Sequence, residues 1–464
     1  MPNFKIISPN NNRSYAERAY ASNADIEPAL IKSAAAQGEW RNTPIEARKK
    51  ICLKAVSALL ARQSSIAEEL SWQMGRPLRY TPGEIKGFAE RARHMARIAE
   101  EKLADIEIET STENTRLIRR TPHGIVLSIV PWNYPYLTAV NVIIPALMAG
   151  NSVIMKPSSQ TALTAERLFD AFDTAGLPAG LFQHLFLDHA STAKLIQHNA
   201  INYVSFTGST QGGHEIEAAA VGRFIDIGLE LGGKDPAYVR YDADLEQAVE
   251  NLIDGAFFNS GQSCCGIERI YVHKDLYPSF CDSFIELTRE FRLGDPLHPD
   301  TTLGPMVNAA AATRVRDQIS EAIKQGATAT IDEKLFPASK AGTAYLAPQV
   351  LLNVDHSMAV MRDESFGPVV GIMSVDSDEQ AIELMNDSPY GLTASIWTTD
   401  QQSALNIGNQ LETGTCFMNR CDYLDPALAW SGVKNSGKGS SLSELAYERL
   451  TQPKSFHFRH SQTP

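Results

Sequence analysis

The chain has 464 residues, 43% apolar and 21% charged, with a formal net charge of −12. That length exceeds one ordinary hydrophobic core and implies two or three domains of a soluble globular protein. The negative balance excludes a general nucleic-acid binder, because there is no basic excess to neutralise phosphates, and it disfavours an anionic membrane surface.

The first twenty residues are polar and carry no charged-then-apolar export pattern, and the apolar runs at 125–130 and 140–148 are too short to span a bilayer. The expected location is cytoplasmic. The six cysteines, Cys52, Cys264, Cys265, Cys281, Cys416 and Cys421, show no paired CxxC spacing. Neither a zinc site nor a disulfide framework is therefore expected.

Residues 24–107 read as mostly helical. Ile45, Ile51, Val56 and Leu59–Leu60 recur at helical intervals, and a second run covers 84–103. Residues 105–120 begin by alternating (Ile106, Ile108, Thr110) and read as an exposed strand or hairpin, an edge able to pair with another subunit. From Gly124 to Glu230 short β-rich runs (125–130, 152–155, 184–187, 203–206, 224–229) alternate with helical ones (135–148, 161–175, 191–198, 210–220). Such alternation argues for βαβ units and a parallel sheet. A second alternating block runs from Gly233 to about Asn419, and the tail alternates again over 454–459.

Four segments carry chemistry. Phe257-Phe258-Asn259-Ser260-Gly261-Gln262-Ser263-Cys264-Cys265 joins a helical run (245–258) to a strand (267–272). A thiol in a Gly/Ser turn can be reached by a ligand and polarised by backbone N–H groups, although most cysteines are simply small buried hydrophobes. In Leu229-Glu230-Leu231-Gly232-Gly233-Lys234 a carboxylate ends an apolar strand. It is either desolvated, with the raised pKa of a base, or solvated or paired with Lys234. Phe206-Thr207-Gly208-Ser209-Thr210 joins strand to helix, which suits a phosphate but equally an ordinary capped turn. In Pro131-Trp132-Asn133-Tyr134-Pro135 two prolines stiffen a loop whose Asn133 amide serves either a developing oxyanion or a helix cap.

Taken in order, these segments with Lys156-Pro157, Glu364-Ser365-Phe366-Gly367-Pro368 and the run from Asn386 to Gly391 resemble the aldehyde dehydrogenase superfamily, from about residue 5 to residue 455. The resemblance implies an α/β fold. A Rossmann-like cofactor domain (1–103 and 123–233) joins an α/β catalytic domain (234–436) and a small β oligomerisation element (104–122 and 437–464). It implies Cys264 as nucleophile, Glu230 as general base, and Asn133 with the Cys264 N–H as oxyanion hole. Lys156 matches the ribose contact, Gly208 and Ser209 the pyrophosphate turn, and Glu364 the nicotinamide ribose contact. Phe366, Trp132 and Ile129 are expected in the same cleft. The implied reaction oxidises an aldehyde to its acid through a thiohemiacetal and a thioester on Cys264, with hydride transfer to NAD or NADP. The rival readings are a coenzyme A-acylating dehydrogenase and a non-catalytic binding protein. Glu230 argues against the first, and the presence of both nucleophile and base against the second.

Three positions depart from the family pattern. Ser159 stands where many NAD-preferring members carry a glutamate, so tolerance of NADP is expected. The loop Leu187-Asp188-His189-Ala190-Ser191 contains no glycine, and Ser441 stands where a glutamate is often found. Position within the family pattern places Tyr134, Asn141, Ser263, Cys265, Tyr423 and Leu424 along the aldehyde tunnel. At its mouth, in Arg420-Cys421-Asp422-Tyr423, Arg420 either binds a semialdehyde carboxylate or pairs with Asp422 or another carboxylate. A small polar aldehyde or semialdehyde is the expected substrate, no metal is expected, and sheet extension implies a homodimer or homotetramer.

Overall fold

The computed structural model describes residues 3–108, 111, 113–421 and 423–460. Thr110 and Asp422 lie outside the described residues. The alternating block 124–230 builds a six-stranded sheet in the order Gly437–Lys438, Asp226–Glu230, Ile201–Thr207, Ile125–Val130, Ser152–Pro157, Phe182–His184. All neighbours are parallel except Gly437–Lys438, which runs antiparallel to Asp226–Glu230. The central strand Ile125–Val130 is buried along its whole length, as expected where helices cover both faces. Its residues divide by the two-residue period of a strand. Val126 and Val130 enter one core with helices Ile45–Ala61, Pro82–Lys102 and Pro135–Met148. Ile125, Leu127 and Ile129 enter the opposite core with Leu195, Ile196 and Ile216.

The second block forms a seven-stranded sheet, in the order Thr328–Ala329, Gln349–Leu352, Val369–Val375, Ile267–His273, Asp235–Val239, Thr393–Trp397, Thr415–Met418. Only the Thr328–Ala329 edge is antiparallel. Buried Arg269 knits this sheet to helix Asp378–Asn386, donating to the Lys234 (2.9 Å), Leu384 (3.2 Å) and Met385 (3.2 Å) carbonyls.

The third unit is antiparallel. Asn114–Pro122 pairs over nine residues with Thr451–Arg459 and, on its other side, with Ile106–Glu107. Ala446, Tyr447 and Leu450 belong to the core of the six-stranded sheet. With Gly437–Lys438 in that sheet, the described residues of the tail contribute only Thr451–Arg459 to this unit.

The expected strand at 184–187 is shifted: Phe182–His184 forms the ladder, pairing with Val153–Met155. Leu185 and Leu187 are buried beyond its end, which explains the strand-like pattern there.

Candidate active site

Parallel strands deliver their carboxyl ends to one rim, where ligands bind in open α/β sheets. Ile125–Val130 ends at the 131–135 loop, Ser152–Pro157 at Lys156-Pro157, Ile201–Thr207 at Gly208-Ser209, and Asp226–Glu230 at Glu230 itself. Opposite this rim stands the turn before Cys264. Asn259 (φ 53°), Ser260 (φ 57°) and Gly261 (φ 69°) are all left-handed there, a conformation that costs energy unless its surroundings impose it. They do. The Asn259 amide donates to the Gln262 carbonyl (3.2 Å), Ser260 Oγ to the Gly304 carbonyl (2.8 Å), and the Val307 N–H to Gln262 Oε1 (2.7 Å).

Rim and turn are joined by a buried ion pair. Arg76 Nη1 donates to Glu84 Oε2 at 2.5 Å, and both side chains are almost wholly buried. Arg76 also donates to Asn259 Oδ1 (3.1 Å) and to the Asn133 carbonyl, and lies 4.4 Å from the Tyr134 ring centre. Glu84 Oε1 accepts the Tyr136 N–H at 2.8 Å. The sequence reading missed this pair, because Arg76 and Glu84 look like surface charges of helical segments.

Two cavities meet at Cys264. One, of about 390 Å³, is lined by Tyr134, Asn141, Ser263, Cys264, Cys265, Tyr423 and Leu424, so every expected tunnel residue except Arg420 is there. It also contains Arg91, Leu137, Phe258 and Trp430, which the sequence reading did not single out. The other, of about 340 Å³, is lined by Trp132, Asn133, Gly208, Ser209, Glu364 and Phe366. Cys264 and Glu230 line both. Among the described residues the Cys264 N–H donates to no backbone acceptor, and Asn133 Nδ2 spends one of its two hydrogens, on the Gln262 carbonyl (3.2 Å). Two donors thus remain for an oxyanion.

Glu230 is not paired with Lys234, whose ammonium is buried against Glu268 and donates to Ser365 Oγ (3.0 Å). Glu268 in turn accepts the Ser365 (2.8 Å) and Phe366 (2.9 Å) N–H groups, fixing the loop that presents Glu364 and sets the Phe366 ring edge-on to Trp132 at 5.7 Å. Glu230 accepts from Thr207 Oγ1 (3.0 Å) and from Ser441 Oγ. Burial pushes its pKa above the ordinary carboxylate value, against the opposing pull of those hydroxyls and Arg91. Ser441, where a glutamate is often found, thus contacts Glu230 directly. The Cys264 thiol is also pushed up, first by its neighbour Cys265 and then by burial, so it rests as a thiol.

The dinucleotide-side groups fit such a ligand. Ser209 Oγ caps helix Thr210–Ala219 by accepting the Gly212 N–H (3.1 Å), which leaves the helix start and its positive dipole end facing the cleft. A Cβ at Gly212 would come within 2.7 Å of the Phe206 ring, so backbone alone fits there. Glu364 accepts the Gly233 N–H (3.1 Å), and burial raises its carboxyl to about 8. Lys156 is lowered by burial, with the carboxylate of Asp188 opposing. In the loop that lacks glycine, Asp188 caps helix His189–Gln197 through the Ser191 N–H (2.7 Å). Ser159 is exposed in a short 3-10 turn after Lys156.

Four expected residues, Ile129, Lys156, Ser159 and Arg420, line neither cavity. Ile129 points into the core beneath helices His189–Gln197 and Thr210–Ala219 and lines neither cavity. Arg420 is exposed outside the aldehyde cavity, its guanidinium held 4.0 Å above the Tyr423 ring, while the Tyr423 hydroxyl donates to Glu90 (3.1 Å). Among the described residues no helix is long and apolar enough to cross a membrane, and no group of His, Cys, Asp and Glu could hold a metal.

Comparison with known proteins identifies the family. The profile of the aldehyde dehydrogenase family matches residues 2–456. A 3-sulfolactaldehyde dehydrogenase of Priestia aryabhattai is 33% identical over 97% of this chain and 93% of its own. A succinate semialdehyde dehydrogenase [NAD(P)+] of Escherichia coli is 33% identical over 95% and 94%. The crystal structure of succinic semialdehyde dehydrogenase from Streptococcus pyogenes with NADP+ superposes with a TM-score of 0.94, at 28% identity, over 98% of this chain and all of that one. A match over nearly the whole chain, with a thiol and a carboxylate where two cavities meet, places this protein in the aldehyde dehydrogenase family.

Proposed function

We propose that the protein oxidises a small polar aldehyde or semialdehyde to its acid, with NAD+ or NADP+ as hydride acceptor and Cys264 as nucleophile. The observation that carries this reading is that Cys264 and Glu230 are common to the two cavities. The aldehyde enters beside Tyr423 and Leu424, and Gly208-Ser209 and Glu364 would hold the dinucleotide, with Lys156 as the ribose contact that the family pattern implies. Cys264 Sγ bonds to the carbonyl carbon as its proton leaves towards Glu230, and the Cys264 N–H and Asn133 amide hold the resulting alkoxide. A dinucleotide held there would supply the hydride acceptor that lets this adduct become a thioester. Glu230, having passed the thiol proton on to solvent, then takes a proton from water, the water oxygen bonds to the acyl carbon, and the C–S bond breaks to free the acid, the thiolate recovering a proton. A base beside the thioester supports release by water rather than by coenzyme A.

Cys264→Ala should lower aldehyde-dependent formation of reduced nicotinamide by about 10³-fold or more; a near-parental rate would overturn the assignment of the nucleophile. Glu230→Gln should slow both steps that use the base, thiol attack and thioester hydrolysis. Rapid mixing should show a slowed burst of no more than about one equivalent of reduced nicotinamide, then turnover about 10²-fold slower than the parental enzyme. The parental rate should fall with acid through a pKa above the ordinary carboxylate range, because the base works ionised and burial raises its pKa. That limb should vanish in Glu230→Gln.

Ser159 supports acceptance of both dinucleotides, because a hydroxyl does not repel a 2′-phosphate. Ser159→Glu should raise the NAD+ to NADP+ ratio of kcat/KM about tenfold or more, and an unchanged ratio would remove Ser159 from cofactor selection. The exposed nine-residue strand Thr451–Arg459 supports assembly by sheet extension. Light scattering should give a dimer or tetramer, and a monomer at working concentration would contradict it.

A further inference from the structure

Helix Pro82–Lys102 brings Arg91 into the aldehyde cavity. Its residue exposure is only 8%. Its Nη1 donates to two neutral oxygens, the Leu137 carbonyl (2.8 Å) and Asn141 Oδ1 (3.2 Å). Among the described residues, no carboxylate lies within ion-pair distance of Arg91, and its Nε and Nη2 make no hydrogen bond. Beside it, Asn141 Nδ2 is buried without a partner, in a residue 1% exposed. The bond from Arg91 fixes which way this amide points, so its N–H₂ is the free end. A buried guanidinium that feels Glu230 only at a distance and has no ion-pair partner is costly, and so is a buried amide without an acceptor. Both costs fall on groups beside the same cavity.

Arg91 does not serve as the hydrogen-bonding partner of Glu230, whose oxygens are taken by Thr207 and Ser441. Nor is it neutralised from the mouth. Glu90 is exposed and takes the Tyr423 hydroxyl, and the other charged side chain of the cavity wall, Lys86, is also positive and exposed.

We propose that Arg91 and the Asn141 amide form an anion-binding end of the aldehyde cavity, so that the preferred substrate carries a carboxylate or sulfonate remote from its carbonyl. This rests on the reading of the cavity as the aldehyde site. One fixed guanidinium presents two parallel N–H donors to either anion, and the Asn141 amide adds a third. The anion is then held away from Cys264, leaving the uncharged carbonyl to reach the thiol. Arg91 acts as a specificity residue and touches no reacting atom. This assigns to Arg91 the role that the sequence reading considered for Arg420.

The test compares kcat/KM for succinic semialdehyde and 3-sulfolactaldehyde with that for butanal, which matches the first in chain length but is neutral. The parental enzyme should prefer at least one anionic aldehyde about 10²-fold, and the two anions separate a carboxylate site from a sulfonate site. Arg91→Met should lower the anionic-to-neutral ratio about 10²-fold, mainly through KM, and Arg91→Lys should restore part of it. Asn141→Asp tests the same point if Arg91→Met folds poorly. It places a carboxylate against Arg91 with almost no change in shape and should lower the ratio similarly. A ratio near one in the parental enzyme, with butanal oxidised well, would overturn the anion site and leave the dehydrogenase reading intact. A ratio unmoved in Arg91→Met, or in Asn141→Asp, would overturn it too. Should no aldehyde be oxidised, the dehydrogenase reading fails separately, and the anion site is judged by calorimetry of succinate on Cys264→Ala. Binding lost in Cys264→Ala/Arg91→Met upholds it, and absence of binding overturns it.

Discussion

The ion pair between Arg76 and Glu84 is the constraint on which the site depends. Three separate pieces of chain meet on it: the helix start at 82–84, the 131–136 loop and the left-handed turn at 259–261. The loop follows a strand of the six-stranded sheet, and the turn precedes a strand of the seven-stranded one. An oxyanion donor on one and a nucleophile on the other would otherwise be positioned only by contacts between domains. A buried pair of this kind contributes little net stability against an apolar replacement, yet removing one partner costs about 3–5 kcal/mol, because a naked charge remains. Its value lies in registry. Arg76 donates in three directions from a planar fork, so it fixes the relative placement of Asn133, Asn259 and Glu84 more tightly than a lysine would.

The charges around Cys264 divide the labour. Lys234 is consumed by Glu268, and that pair shapes the Glu364–Phe366 loop rather than the thiol. Glu230, Asp235 and Cys265 all push the thiol towards its neutral form. A thiol resting neutral is protected from adventitious oxidation, which follows thiolate character. In the proposed mechanism it also makes Glu230 necessary twice, first to receive the thiol proton and, once that proton has left, to activate water. Its position between two cavities and two hydroxyls suits both steps, because Thr207 and Ser441 stabilise the ionised form that burial opposes.

Much of the fold was legible because strand and helix periods are strong where burial is complete. Ile125–Val130 and Pro135–Met148 have the bounds that their patterns predict. The Cys264, Glu230 and Gly208-Ser209 segments were legible as punctuation, since Gly and Ser interrupt periodic runs where chain ends meet a ligand. Charged residues inside helices carried no such signal. Arg76, Glu84 and Arg91 share their surroundings with Lys86, Glu90 and Arg93, and sequence alone does not say which of these six face inward. In the structure Glu84 and Arg91 are buried while Lys86, Glu90 and Arg93 are exposed. Arg420 misled for the opposite reason: its loop was identified, but the stacking of its guanidinium on Tyr423 follows from side-chain geometry that no spacing encodes.

The same helix therefore carries both the scaffold charge and the one proposed to be selective. Glu84 and Arg91 are seven residues apart, two helical turns, so they share a face and are separated by about 10 Å along the axis. Glu84 is locked by Arg76, which is itself locked to Asn133, and Arg91 is tied to Leu137 and Asn141 of the helix that the Asn133 loop begins. The interval between the guanidinium and the thiol is consequently set by two packed helices and a buried ion pair, whereas Arg420 and Tyr423 sit on an irregular segment at the mouth. A charge on a rigid element selects for length as well as sign. An anion too close to its carbonyl leaves the carbon short of Cys264, and one too far forces the chain to fold back. With Arg91 as the proposed anion site, the arrangement favours short anionic aldehydes of one span, and that choice sits in the scaffold rather than at the cavity entrance.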